Sequence, residues 1–138
     1  MSEVNPSSVE FRGSADVQHE NDPATILLAE DEPGLRQMLA DILKAAGYHL
    51  MIAEDGHQAL QLANGHSGRI DLLVSDIQMP GVTGPGVAEE LKRSRPELKI
   101  MLMSGCVSPS VVFESEWRFL QKPFEPNQLL EEVRVALR

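Results

Sequence analysis

Five side chains in this sequence could do chemistry together, and each stands at the end of a short apolar run. Glu30 and Asp31 follow "TILLA", Asp76 closes "LLVSD", Ser104 closes "IMLMS" and Lys122 follows "RFLQ". If these ends meet, three carboxylates repel one another, by roughly 4 kcal/mol for two charges about 4 Å apart at an effective dielectric near 20. Something positive must offset that. An oxygen-rich carboxylate set with room for water suits Mg²⁺, a hard cation that commonly works beside phosphate groups. Lys122 adds a mobile positive charge and Ser104 a neutral donor. Such a set has the parts of a phosphoryl-transfer site, in which metal and lysine neutralise charge and a carboxylate can be the nucleophile.

The elements that must bring these groups together are legible in the same pattern. The runs "TILLAE" (25–30), "HLMIAE" (49–54), "IDLLVSD" (70–76), "KIMLMSG" (99–105) and "RFLQK" (118–122) are each of strand length. Between them lie segments of helical period. Leu35, Met38, Leu39, Ile42 and Leu43 form one apolar stripe on a helix that Gly47 can end. A second helix follows Asp55, with Gln58 placed as in a capping box. A third starts near Pro85 and runs to about Arg95, and the last follows Pro126 with Leu129, Leu130, Val133 and Leu137 on one side. The segment 108–116 is weakly patterned and is read as a short or mobile helix.

Five strands alternating with about five helices predict a doubly wound α/β fold, a five-stranded parallel sheet covered on both faces. Ligands of such folds sit outside the carboxyl ends of the strands. That is where the five side chains stand.

Composition narrows the partners. Of the 138 residues 42% are hydrophobic, enough for one core, and the net charge is −9. An acidic chain lacks the Lys and Arg excess that neutralises phosphate backbones, so direct nucleic-acid binding is not expected. The single cysteine, Cys106, permits no internal disulfide. No run approaches the roughly 20 apolar residues of a membrane span, and the polar N-terminus has no signal-peptide core. A cytoplasmic protein is expected. Residues 1–23 are polar without sustained period and read as a disordered leader, with the folded domain at 24–138.

The ordered marks "ED" (30–31), "SDIQMPG" (75–81), "MSG" (103–105) and "KPF" (122–124) resemble a response-regulator receiver domain of two-component signalling. The resemblance covers the chain from about 25 to 138 and implies the flavodoxin-like receiver fold with strand order 2-1-3-4-5. It implies that Asp76 accepts a phosphoryl group from a histidine kinase or a histidine phosphotransfer protein. Asp31, Asp76 and the Gln78 carbonyl would bind Mg²⁺, Glu30 acting mainly through a metal-bound water. Ser104 and Lys122 would contact phosphoryl oxygens. Phe119, three residues before that lysine, matches the aromatic position that responds to phosphorylation, and with Ser104 it would form a switch controlling a downstream protein target. Glu at 30, Ser at 104 and Phe at 119 stand where Asp, Thr and Tyr are common in the family.

Taken singly, each residue has a plainer role. A strand-end aspartate can cap a helix, Glu32 suits a helix N-terminus, a serine before Gly105 is a common turn residue, and Phe119 can be core. Two other functions compete: a small phosphatase of the haloacid-dehalogenase type, which needs Asp-x-Asp where this chain has "EDE", and a phosphorelay or sink receiver belonging to a hybrid kinase. The sequence ends after its last helix, from which no output domain is expected.

Overall fold

Short β-rich runs separated by capped amphipathic segments leave the chain little choice but to alternate strand and helix. The computed structural model describes residues 22–105 and 116–138. Its elements are β1 (Thr25–Ala29), α1 (Pro33–Ala45), β2 (His49–Ala53), α2 (Gly56–Asn64), β3 (Leu72–Asp76), α3 (Gly84–Ser94), β4 (Lys99–Ser104), β5 (Arg118–Gln121) and α4 (Pro126–Ala136). The strands form one parallel sheet in the order β2-β1-β3-β4-β5, as expected. The described residues hold four helices. The segment 108–116 lies outside them but for Glu116, as does the leader but for Asp22 and Pro23.

Alternation along the strands feeds two cores. Leu27, Leu73 and Leu102 pack with Ala59, Ala63, Val87 and Leu91 of α2 and α3 on one face. Leu28, Val74 and Met101 pack with Leu39, Leu43, Leu129 and Val133 of α1 and α4 on the other. Each fully buried leucine contributes about 1.5–3 kcal/mol relative to exposure, so register is fixed by the need to keep both sets inside.

The helix ends follow local chemistry. The Glu32 carboxylate caps α1 by accepting from the Gly34 and Leu35 amides, at 3.2 and 2.5 Å. Asp55 caps α2 by accepting from the Gln58 amide at 2.8 Å, while the Gln58 side chain reaches Glu54 rather than the Asp55 amide, half of the expected box. Gly47 at φ 99° ends the first helical segment in the left-handed region that glycine tolerates.

Met38 departs from the expected stripe. It is 44% exposed, and the buried residues of α1 are Leu39, Ala40 and Leu43. At about 100° per residue these three centre the inward face roughly 145° from Met38. The leucines turned the helix; the methionine flank lost.

Candidate functional site

The register carries the functional groups to one edge. Ala29 pairs with Ser75, so Glu30 and Asp76 each stand at the carboxyl end of adjacent strands. Asp76 pairs with Met103, one residue before Ser104. Ser104 pairs with Gln121, one residue before Lys122, and the Lys122 amide donates to the Ser104 carbonyl at 2.8 Å. Four strands thus deliver one group each without any long side chain having to reach.

Carboxylate oxygens of Glu30, Asp31 and Asp76 all lie within 4.8 Å of one another, close enough to hold one cation. The Lys122 ammonium bridges two of them, with Nζ 3.3 Å from Glu30 Oε1 and 3.3 Å from Asp76 Oδ2. Accessibility distinguishes the three acids. Glu30 is 1% exposed, the Asp76 side chain is 14% exposed, and Asp31 lies open to solvent. Gln78 is exposed just past Asp76, and Ser104 is buried at the end of β4. Phe119 is half-buried and packs into the same face of the sheet as Leu102, its register partner, and Trp117. Six of the seven residues singled out in the sequence therefore lie at one edge, and Phe119 lies inside β5, three residues before Lys122.

Burial raises the Glu30 pKa above its ordinary 4.5 by desolvating the carboxylate, and the Asp76 charge adds to the rise. The Glu32 amide, donating to Glu30 Oε2 at 3.1 Å, and the Lys122 ammonium oppose it. The net rise means that ionised Glu30 is undercompensated by the protein alone. Its sign follows from linkage: the folded state is unpenalised below the ordinary value and loses stability as pH rises through the raised one. In EDTA, the melting temperature of Glu30→Gln is expected to gain on that of the wild type from about pH 4 to about pH 8. A constant gap would show that Lys122 already neutralises the group.

Sequence reasoning missed two residues. Arg36 donates from Nη1 to the Glu30 carbonyl at 3.0 Å; its signal was a cation near a helix N-terminus, where the dipole disfavours it. Gly84 packs against the backbone of Asp76, leaving no room for a Cβ.

The family model described as response regulator receiver domain matches residues 26–134. The chain belongs to that family. Among curated relatives of this receiver domain, the response regulator receiver protein CpdR of Brucella abortus is 32% identical over 116 residues, covering 81% of this chain and 95% of CpdR. The sensor kinase CckA of the same organism is 33% identical over 118 residues, which is 83% of this chain but 12% of CckA. The chain thus spans a small part of some relatives and nearly all of others. The crystal structure of the CckA receiver domain superposes with a TM-score of 0.73 at 36% identity, covering 83% of this chain and all of that one (100%). TrrA of Thermotoga maritima, solved in complex with Mg²⁺-BeF, gives 0.73 at 33% identity, covering 83% and 99%. In a structure with the histidine kinase ThkA it gives 0.70 at 32%, with the same coverage, 83% and 99%. The receiver fold and strand order expected from the motifs are those observed, and the phosphatase alternative is not favoured. No helix among the described residues is long and apolar enough to cross a membrane.

Proposed function

We propose that this receiver domain accepts a phosphoryl group on Asp76 from the phosphohistidine of a sensor kinase or a histidine phosphotransfer protein, with Mg²⁺ as cofactor. The observation that carries the reading is the Lys122 ammonium, 3.3 Å from Asp76 and 3.3 Å from Glu30, beside three carboxylates grouped within 4.8 Å. A lysine between acids offsets part of their repulsion and remains available to an incoming phosphoryl oxygen.

In the reaction an Asp76 carboxylate oxygen attacks phosphorus and forms the acyl phosphate bond. The bond from phosphorus to the donor imidazole nitrogen breaks, and its electron pair stays on that nitrogen, which a proton then satisfies. Lys122 pairs with one phosphoryl oxygen and the Ser104 hydroxyl donates to another. The donor set fits a hard divalent cation: clustered carboxylate oxygens, the exposed Gln78 at the strand end, and a buried Glu30 whose charge the protein alone leaves undercompensated. Asp31, Asp76 and the Gln78 carbonyl would hold Mg²⁺, with Glu30 behind them. When bound it supplies charge neutralisation for the transferring group.

Asp31 is open to solvent, whereas Glu30 already accepts from the Glu32 amide and from Lys122. Asp31→Asn is therefore expected to weaken Mg²⁺ affinity more than Glu30→Gln, by about tenfold or more. Calorimetric titration checks this, and the reverse order would mean that the wrong acid has been placed on the metal.

Phosphorylation adds close to two negative charges and new acceptor oxygens. Drawing Ser104 inward would open space beside Phe119, and the ring could fill it, changing the surface offered to a downstream protein. The single tryptophan, Trp117, is buried in the same cluster and reports on it. Beryllofluoride with Mg²⁺ should shift Trp117 fluorescence in the wild type. Ser104→Ala should keep beryllofluoride binding but lose most of the shift. An unchanged spectrum in the wild type would make the domain a relay or sink rather than a switch. The kinase partner is supported by the likeness to TrrA, and transfer from small phosphodonors but from no histidine kinase would remove it.

A further inference from the structure

We infer that Arg36 is a positioning residue for the exposed acid Asp31, an inference that rests on the Mg²⁺-dependent reading above. Arg36 Nη1 donates to the Glu30 carbonyl at 3.0 Å. That carbonyl belongs to the peptide joining Glu30 to Asp31. Because the peptide is planar, fixing its C=O fixes the direction in which the Asp31 Cα leaves it. The Glu30 amide donates to the Ala53 carbonyl at 3.2 Å, and Glu30 Oε2 accepts at 3.1 Å from the Glu32 amide, the N–H of the peptide on the far side of Asp31. Burial locks Glu30 as well, but Asp31 is exposed, so packing cannot aim its carboxylate. The backbone does so, with the guanidinium holding the peptide before Asp31 and the Glu32 amide bond holding the peptide after it.

An arginine that served helix stability, or acted only as a local charge, would give the opposite sign. Arg36 is the fourth residue of α1, where a cation opposes the helix dipole, so helix stability does not call for it. As a bare positive charge near a cation site it would repel the metal, and deleting it would tighten Mg²⁺ binding. Only a tether predicts that removal weakens binding.

The test is Mg²⁺ titration of Arg36→Met and Arg36→Lys, with amide hydrogen exchange of each variant in EDTA. Arg36→Met is expected to bind Mg²⁺ about tenfold more weakly, the low end of the cost of losing a group that orients metal ligands. Arg36→Lys should recover part of the affinity, since an ammonium N–H is also a donor suited to a carbonyl. Without metal, the Glu32 amide, which donates to Glu30 Oε2, should exchange faster in Arg36→Met. Affinity equal to or tighter than that of the wild type, or unaltered Glu32 exchange, overturns the inference and leaves the phosphoacceptor reading standing. A wild type that binds no Mg²⁺ overturns that reading, and the inference with it.

Discussion

Asp76→Asn is expected to take up no stable phosphoryl group from acetyl phosphate and Mg²⁺ under conditions that label the wild type to completion. An amide oxygen is a poor nucleophile and cannot form the acyl phosphate, and none of the neighbouring acids can replace it. Glu30 is buried and bridged to Lys122, and Asp31 extends from the loop before α1 rather than from the end of β3. The fold should survive. The substitution removes repulsion from Glu30 and Asp31, whose oxygens lie within 4.8 Å, and attraction to Lys122 at 3.3 Å, so the effects oppose each other and stability should change by no more than about 1 kcal/mol. Intact mass and thermal unfolding check both halves. Undiminished labelling of a well-folded Asp76→Asn would sink the assignment of the nucleophile.

Gly84→Ala should be the most damaging small substitution near the site, for a reason unconnected with charge. A Cβ on Gly84 would overlap the Asp76 carbonyl oxygen and crowd the Ser75 hydroxyl at 3.1 Å. The obstacle is backbone, so the start of α3 or the end of β3 must shift. A cost of about 2–3 kcal/mol is expected, at the upper part of the overpacking range. The shift would also move Asp76, the proposed nucleophile, and a misplacement of about 1 Å can cost on the order of 100-fold in rate. Gly81 provides the contrast. Its φ is 80° but, among the described residues beyond its chain neighbours, no atom lies within 4 Å of its added Cβ, so Gly81→Ala should meet only backbone strain of about 1 kcal/mol and leave the labelling rate nearly intact. Melting temperature and initial labelling rate separate the two variants. A Gly84→Ala protein with wild-type values for both would mean that α3 yields freely and does not hold Asp76.

The fold was legible because the strands are built on short apolar runs and each run stops at a polar or charged residue. Asp76, Ser104 and Lys122 announced the strand ends, and parallel pairing then put them on one edge without further information. The acids of the β1 end were equally visible. What the sequence concealed was backbone geometry. Gly84 gives no side-chain signal, and the need for glycine there arises from its approach to the Asp76 carbonyl. Arg36 reads as an ordinary solvated cation on a polar helix face until its bond to the Glu30 carbonyl is known. Met38 failed for a third reason: a five-residue stripe leaves the inward direction open by tens of degrees, and burial of Ala40 decided it.

The central claim is that Asp76 is phosphorylated with help from Mg²⁺, and peptide mapping of the labelled wild type tests it most directly. The domain would be incubated with acetyl phosphate, with Mg²⁺ or with EDTA, then trapped by borohydride reduction of the acyl phosphate and digested. The account predicts one modified residue, Asp76, in the Mg²⁺ sample and little or none in EDTA. Modification at Asp31 or Glu30, or equal labelling of Asp76 in EDTA, would contradict it.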